Sequence, residues 1–577
     1  MAKIIIIGGG VAGMSAAHEL VERGFEVEVY EKQPVYVGGK ARSVDVPGTN
    51  IQQPDKFLPG EHGFRFFPGF YKHVVDTMKR IPYTDAGGNE NENGVYDNLV
   101  EVNRVELTRY GKKPIVAPVN FPQSLADLEL IVHDMFHAGT GLTDAEKKLF
   151  AFKIWQLLTT CTDRCNDEYE DIGWWEYMDA DQQSDNYRAL CVQGLTRTLV
   201  AANAKLASTK TGGNIFLQLI FNMLNPFTHT DRVLNGPTND VWLNPWKKYL
   251  LDKGVKYTHN APATRLQFSK GKIDGVWVSI DNAAEQLVTG DYYILATPVE
   301  VAAKLVNDDM IAYDTTLDGI RKLAPSVAWM NGLQFYLNED VQIVHGHCIY
   351  SDSQWAVTSI SQVQFWKDYD LSVRGNGKVK GILSVDISDW YDAGINGKKA
   401  CECSAKEIKE EVWNEIKNSL NVDGNVVLRD DMIEYWYLDS DIHASQGHDE
   451  AIDPDQLMDA IEQNFEPLLV NTVNSWELRP SAYCRISNLF FASDYVQTNT
   501  DLATMEGANE AARRAVNCIL DAEDSDAPEC EIWKLHEPLI LAPFKLRDQN
   551  RYDKGLPYKY HEPFVVKLVH WVKDLFN

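Results

Sequence analysis

Residues 3–31 read KIIIIGGGVAGMSAAHELVERGFEVEVYE, and this stretch decides the fold. Lys3 leads into four isoleucines, Ile4 to Ile7, and a run so apolar and β-branched predicts a strand covered on both faces, as in a parallel sheet. Gly8, Gly10 and Gly13 then stand at GxGxxG spacing. Gly8 permits a tight turn, Gly10 lets the backbone approach a pyrophosphate, and Gly13 lets the next helix lie against the sheet. The spacing predicts that helix over Val11 to Arg23, with small Ala12, Ala16 and Ala17 at close-packing positions and Gly24 as its stop. Its N-terminus offers N–H groups and a partial positive charge to a diphosphate. Phe25 to Tyr30 alternate as a second strand, and Glu31 follows 18 positions after Gly13. A carboxylate there can accept hydrogen bonds from both ribose hydroxyls and would repel a 2′-phosphate. A plain βαβ crossover is the alternative, but glycines, helix, strand and acid in this order point to dinucleotide binding, with FAD and NAD both open.

At 577 residues the chain can bury a large core and is expected to hold two interleaved domains. Its hydrophobic content of 44% and charged content of 24% are those of a soluble globular protein. A formal charge of −28 argues against nucleic acid and anionic surfaces as partners, though local basic patches remain compatible with it. Nine cysteines without framework spacing fit reduced thiols. Without a run of transmembrane length or a signal peptide, the expectation is a cytoplasmic protein, membrane-associated at most at its periphery.

Further along, Val37 to Ser43 reads VGGKARS, a second pair of glycines with Lys40 and Arg42 as candidate phosphate cations. Glu61 to Tyr71 reads EHGFRFFPGFY, aromatics around an Arg and a His, which suits either an apolar ligand pocket against a flat ring system or an aromatic core corner with a satisfied Arg–Glu pair. From Phe121 to Phe221 the pattern turns helical, with one helix from Ala145 to Leu158 entered through Thr143 as its cap. Cys161 with Cys165, and His345 with His347 and Cys348, lack matching ligand clusters, and no metal is expected. Tyr292 to Pro298 predicts a strand returning to the dinucleotide sheet, ending in Ala296 and Thr297, which let backbone approach a cofactor. Glu402 to Leu420 carries an amphipathic stripe. Asn488 to Tyr495 is a strand ending in Asp494, and Thr504 opens a helix through Leu520 whose N-terminus suits a developing negative charge. In the tail, Phe564, Val565, Leu568, Val569, Val572, Leu575 and Phe576 share one helical face, fit for a membrane surface, the body of the protein or a second subunit.

Taken together, GGGVAG with Glu31, GGKARS, the LATP strand end, and ASDY followed by TMEGA resemble the flavin-dependent amine oxidase and phytoene desaturase superfamily over residues 4–520. The resemblance implies an α/β fold: a Rossmann-like FAD domain from residues 1–75, 235–300 and 475–525, interleaved with an α+β substrate domain from 76–234 and 301–474, then a tail from 526 to 577. It implies cofactor contacts from Gly8, Gly10, Ala12, Gly13, Glu31, Lys32, Gly39, Lys40, Arg42, Phe64, Arg65, Ala263, Ala296, Thr297, Asp494, Thr504, Met505 and Ala508. Ala263 falls where relatives place the adenine-contacting Val.

Thr504 stands where amine oxidases carry the Tyr of an aromatic substrate cage, and the flavin-tethering cysteine of some of them has no counterpart, so the FAD is expected to be noncovalent. EHGFRFFPGFY is similar to the segment that plant-type carotenoid desaturases place near the flavin, with Arg65 where they have His. TMEGA also resembles bacterial hydroxysqualene dehydroxylases. The expectation is an FAD-dependent oxidoreductase that moves hydride between an apolar small molecule, isoprenoid or fatty, and flavin N5, reoxidised by oxygen or a quinone. Arg65 and Thr504 are its candidate catalytic residues. The rival readings are an amine or amino-acid oxidase, a redox-neutral isomerase or dehydroxylase, and a flavin-binding protein without turnover.

Overall fold

A computed structural model describes residues 2–560, apart from 117–139 (Glu129 excepted), 194–203, 225–230, 443–463 and positions 51, 54–55, 86, 103 and 367. Part of the expected helical region 121–221, and the whole C-terminal amphipathic stretch from Glu562, lie outside the described residues. The chain divides into two compact units, residues 1–114, 229–470 and 475–534 forming the first, and 115–228, 471–474 and 535–577 the second.

A five-stranded parallel sheet anchors the first unit. Its strands are β1 (Lys3–Ile7), β2 (Glu26–Tyr30), β3 (Lys256–Thr258), β4 (Tyr292–Leu295) and β5 (Leu489–Phe491), in the spatial order β3-β2-β1-β4-β5. Ile4, Ile5 and Ile6 are fully buried, as an apolar run covered on both faces must be. The register sets Ile7 beside Tyr30 on one side and Leu295 on the other, so Glu31, Ala296 and Gly8 all emerge at the carboxyl edge. Helix α1 (Val11–Glu22) covers one face. Met14, Ala16, Ala17 and Leu20 are fully buried there, and burying a side chain the size of Leu20 or Met14 contributes roughly 1.5–3 kcal/mol.

Two further helices complete this layer. The short α2 (His73–Lys79) and the long α3 (Met505–Ala522) meet α1 through Asn509, whose amide donates to Ser15 Oγ at 2.8 Å and to Thr77 Oγ1 at 3.0 Å. A buried ion pair, Arg513 Nη2 to Glu19 Oε1 at 3.3 Å, ties α3 to α1.

Also in the first unit is a mixed seven-stranded sheet in the order Ile433–Leu438, Asn331–Leu337, Gly381–Ile387, Val357–Ser361, Gly346–Tyr350, Arg104–Arg109 and Lys112–Val116. Helix Ala405–Leu420 packs its stripe of Ile408, Val412 and Ile416 into the core of this sheet. The sheet positions the aromatic stretch. Gly332 N–H donates to His62 O at 2.7 Å, Glu61 N–H to Gln334 Oε1 at 3.0 Å, and Tyr336 Oη to Pro59 O at 2.8 Å. Residues 59–62 thus lie across strand Asn331–Leu337.

In the second unit, helix Asp144–Thr159 starts where its sequence signature places it, with a capping box between Thr143 and Glu146. Helix α4 (Ala542–Tyr552) also belongs to this unit. Among the described residues all nine cysteines are free thiols, and no helix is long and apolar enough to cross a membrane.

Candidate flavin site

The first glycine loop is built so that side chains cannot fill it. Gly8 has φ +101°, and a Cβ there would lie 2.6 Å from Ala296 O. A Cβ at Gly13 would lie 1.9 Å from Gly8 O, so the helix can sit this close to the strand end only as glycine. Helix α1 has neither a side-chain cap nor an acid in its first turn, which leaves its N–H groups and positive end open to an anion.

Glu31 closes the loop. Its carboxylate accepts from Gly9 N–H at 2.5 Å and Gln33 N–H at 2.8 Å, and burial pushes its pKa above the usual range despite both bonds. From the other side Tyr257 Oη donates to Gly9 O at 2.9 Å. Ala263 opens the strand Ala263–Ser269, two residues beyond Ala261, whose N–H donates to Glu31 O at 2.8 Å.

The second glycine pair abuts the first. Gly38 and Gly39 have φ +95° and +57°, Gly38 bridges to Gly10 in a parallel β-bridge, and its N–H donates to Gly9 O at 3.2 Å. Their expected phosphate cations, however, are engaged by the protein itself. Arg42 pairs with Asp441 and Glu466 and donates to Gly39 O, Lys40 donates to Pro467 O, and Lys32 pairs with Glu466 at 3.2 Å. Burial opposes the charge on Glu466, but Arg42 and Lys32 hold its carboxyl well below the usual range. Backbone N–H groups are therefore the diphosphate donors this cradle leaves open.

At the sheet edge Thr297 Oγ1 is buried without a hydrogen-bond partner, and the methyl Cγ2 of the same side chain lies 3.4 Å from where a Gly8 side chain would start. A cradle that glycines keep empty, an open helix end, a buried ribose-type acid and this orphan hydroxyl fit the adenosine-diphosphate half of FAD.

The C-terminal motifs meet the aromatic stretch. Asp494 follows β5 and accepts from Ser493 Oγ at 3.2 Å. Thr504 caps α3, accepting from Gly507 N–H at 3.2 Å, and its side chain also meets the Tyr71 hydroxyl. Met505 packs against the main core, and Ala508 is buried. Glu506 accepts from the N–H groups of Lys72, His73 and Val74 at 2.7, 2.8 and 2.9 Å.

Phe64 and Arg65 sit in a different environment. Phe64 packs edge-on to His347 at 5.2 Å, within a cluster that includes Val46, Leu58 and Tyr336. Arg65 Nη2 donates to Gly63 O at 2.6 Å and Nε lies 4.0 Å from Glu61 Oε2, while burial lowers its pKa. Around it Glu61 and Asp386 are each raised to about 7, by burial first, against the pull of Arg65. His62 reaches Asp439 at 2.6 Å and Asp441 at 3.6 Å, and these acids outweigh burial to lift its pKa to about 9. His62, Asp439 and Asp441 lie close enough to hold a cation, but Arg42 already occupies Asp441. His345 packs edge-on to Phe365, and His347 lies against Phe64 edge-on and Phe66 at a tilt.

Sequence reasoning missed Tyr257, Asp386, Asp439, Asp441 and Glu466. None of them stands in a motif, and each reaches the site from a remote part of the chain.

Comparison with known proteins agrees with this geometry. The profile of the family described as flavin containing amine oxidoreductase matches residues 11–520. Zeta-carotene desaturase of Zea mays is 41% identical over 80 residues, 14% of this chain and 12% of the desaturase. The 4,4'-diaponeurosporene oxygenase of Staphylococcus haemolyticus is 48% identical over 83 residues, 14% of this chain and 16% of that protein. The chain thus matches less than a fifth of the length of these curated relatives. Putrescine oxidase solved with putrescine superposes with a TM-score of 0.58 at 12% identity, covering 90% of this chain and 99% of that one, a likeness of fold. With most of its length matched and a cradle that fits the cofactor, the chain belongs to the flavin-containing amine oxidoreductase family, as an FAD-dependent oxidoreductase.

Proposed function

We propose that the chain is a desaturase- or dehydrogenase-like member of this family acting on an apolar, isoprenoid or fatty small molecule, with FAD held noncovalently and reoxidised by oxygen or a quinone. When bound, the flavin supplies the redox chemistry, taking a hydride at N5. Gly8, Gly10, Gly13, Glu31 and the open end of α1 bind it. Ala263, Ala296, Thr297 and Asp494 are the further contacts we propose.

The observation that carries the substrate reading is Thr504. Its hydroxyl caps α3, so the position directly before Met505 contributes a helix cap and no aromatic wall for an amine. Capping fixes the α3 terminus, whose positive end favours negative charge nearby. Losing one preorganised donor in such a site costs on the order of 3 kcal/mol of transition-state stabilisation. Glu506, in the first turn of α3, turns its carboxylate to the N-terminus of α2, where it accepts from the N–H groups of Lys72, His73 and Val74. Arg65, Glu61 and Asp386 form a buried group in which a carboxyl near neutrality can hold or release a proton.

Purified protein, denatured with acid, should release a yellow chromophore identified as FAD. Mixed anaerobically with panels of apolar isoprenoids, fatty molecules and amines, the native sample should bleach with the first two. Bleaching by amines alone would sink the substrate reading and leave the cofactor reading standing.

A further inference from the structure

Arg479 follows the 3-10 turn Trp476–Leu478 in the first unit, and its side chain is fully buried. One arm of the guanidinium is engaged: Nη1 reaches Asp501 Oδ1 at 3.1 Å. Nε and Nη2, which form the other edge of the fork, are buried with no hydrogen-bond partner. Buried polar atoms in folded proteins are nearly all paired, and a buried guanidinium left half-satisfied costs stability until a ligand or a trapped water fills it.

The fork is held still. Thr500 donates to Glu510 Oε2 through N–H at 3.0 Å and Oγ1 at 2.9 Å, and Asn499 N–H donates to Glu510 Oε1 at 2.6 Å. Asp501 N–H donates to Thr498 Oγ1 at 3.2 Å. The loop that carries Asp501 is thus tied to α3. Phe491 N–H donates to Ala482 O at 2.9 Å and Gln497 N–H to Pro480 O at 3.0 Å, so residues 480–482 run beside the end of β5 and bring Arg479 to the carboxyl edge of the parallel sheet. Asp501 stands shortly before Thr504, the cap of α3. One loop therefore holds both the guanidinium and the positive end of a helix, and each favours a negatively charged acceptor.

Shape selects the ligand. The N–H bonds of Nε and Nη2 run parallel and match two acceptor atoms side by side on one group, as in a carboxylate. The residues around the fork in the chain are apolar, and Leu478, Leu502, Ala503 and Met505 are each only half-buried. A buried fork beside a half-open apolar rim suits a long apolar molecule that ends in a carboxylate. A flavin carries a similar pair of acceptors on its pyrimidine edge, N1 beside O2, so two sources share this chemistry.

We propose that Arg479 is the binding fork for the carboxylate of an apolar acid, fatty or isoprenoid, with Asp501 fixing its orientation. This rests on the apolar-substrate reading above and gives that substrate its polar end. Two charge-assisted bonds to a carboxylate replace the single bond that a hydroxyl accepts from the same edge, so an acid should bind in preference to its alcohol.

The test is calorimetric binding of hexadecanoic and farnesoic acids, each against its alcohol, to the full chain loaded with FAD. At least one acid should bind tenfold or more tightly than its alcohol. Arg479→Lys keeps the charge but loses the fork, and should erase that preference while FAD affinity and the flavin midpoint potential stay at wild-type values. R479Q/D501N removes both charges of the pair, strands no buried acid, and should do the same. No preference for an acid in the wild type, or a preference that survives in both variants, would overturn the proposal and leave a water in the fork. Variants that weaken FAD binding or shift the potential, with the acid preference intact, would assign the fork to the flavin edge and overturn it as well. Acid binding without bleaching of the flavin would keep the fork and sink the substrate reading. Bleaching by neutral isoprenoids with no preference for acids would do the reverse.

Discussion

Glu506, in the first turn of α3, closes the N-terminus of α2 at His73: its carboxylate takes His73 N–H at 2.8 Å and His73 Nδ1 at 2.7 Å. The other ring nitrogen, Nε2, accepts from Trp533 N–H at 3.0 Å, which fixes His73 as the neutral Nδ1–H tautomer. Burial works against the charge on Glu506, but His73 and the backbone donors hold its pKa below the usual range. Helix α3 and the start of α2, which follows the aromatic stretch, are thereby pinned together.

Replacing Glu506 with Gln would set an amide NH2 against backbone N–H donors with no water to separate them. The expected cost is about 2–4 kcal/mol, from lost charge-assisted bonds and stranded donors. Thermal unfolding checks it, and a variant as stable as the wild type would show that α2 is capped by other means.

The glycine loop gives a graded test. Gly13→Ala, whose Cβ would lie 1.9 Å from Gly8 O, should purify without flavin. Gly8→Ala adds backbone strain at φ +101° and should do the same. Gly24→Ala has a comparable strain at φ +85° but no neighbour within 4 Å, and should cost about 1 kcal/mol and keep its flavin. Flavin content by absorbance separates the three.

Thr504→Ala should lower stability by about 1 kcal/mol through loss of the α3 cap, and Thr504→Ser should restore it. If the hydroxyl acts only as a cap, kcat should follow the same order as the melting temperature. A Thr504→Ala enzyme of wild-type stability and much lower kcat would point to direct contact with substrate or cofactor.

Stability should fall as the pH is raised from about 6 to 9. His62 rises from 6.5 unfolded to about 9 folded, so its stabilisation is complete below the first value and lost through the second. Glu61 and Asp386, lifted from 4.5 and 3.8 to about 7, also favour the fold at low pH and lose that advantage as the pH rises through 7. All three act in one direction, and His62 alone accounts for about 3 kcal/mol. His62→Asn should flatten the profile of melting temperature against pH. A flat wild-type profile would mean that the cluster is hydrated.

The cofactor half of the molecule was legible because its signals are local. Ile4 to Glu31 carry strand, turn, helix, strand and acid within one unit, and the structure returns them as β1, α1 and β2, with α1 ending at Glu22. Thr143 was readable as a cap, and Thr504 as the opening of a helix, for the same reason. The fate of Lys40 and Arg42 was not legible. A cation beside two glycines reads the same whether it meets phosphate or protein, and Arg42 finds Asp441 and Glu466 about 400 positions away. In a chain with 83 acids, nothing in the sequence marks those two. Arg65 was read as lying near a flavin, with a local Arg–Glu pair as the alternative; Glu61 stands four positions before it, but Asp386 joins only when strand Gly381–Ile387 is laid beside Gly63.

Tyr257 leaves a mark on how this sequence can change. A methyl group at Gly9 would sit 1.8 Å from the Tyr257 oxygen, so another residue at position 9 requires that ring end to move and to give up its bond to Gly9 O, although the middle glycine of the run is not part of the GxGxxG spacing. A lineage that replaces Gly9 must therefore also shift or shrink the side chain at 257. The two positions, 248 apart, should drift as a pair.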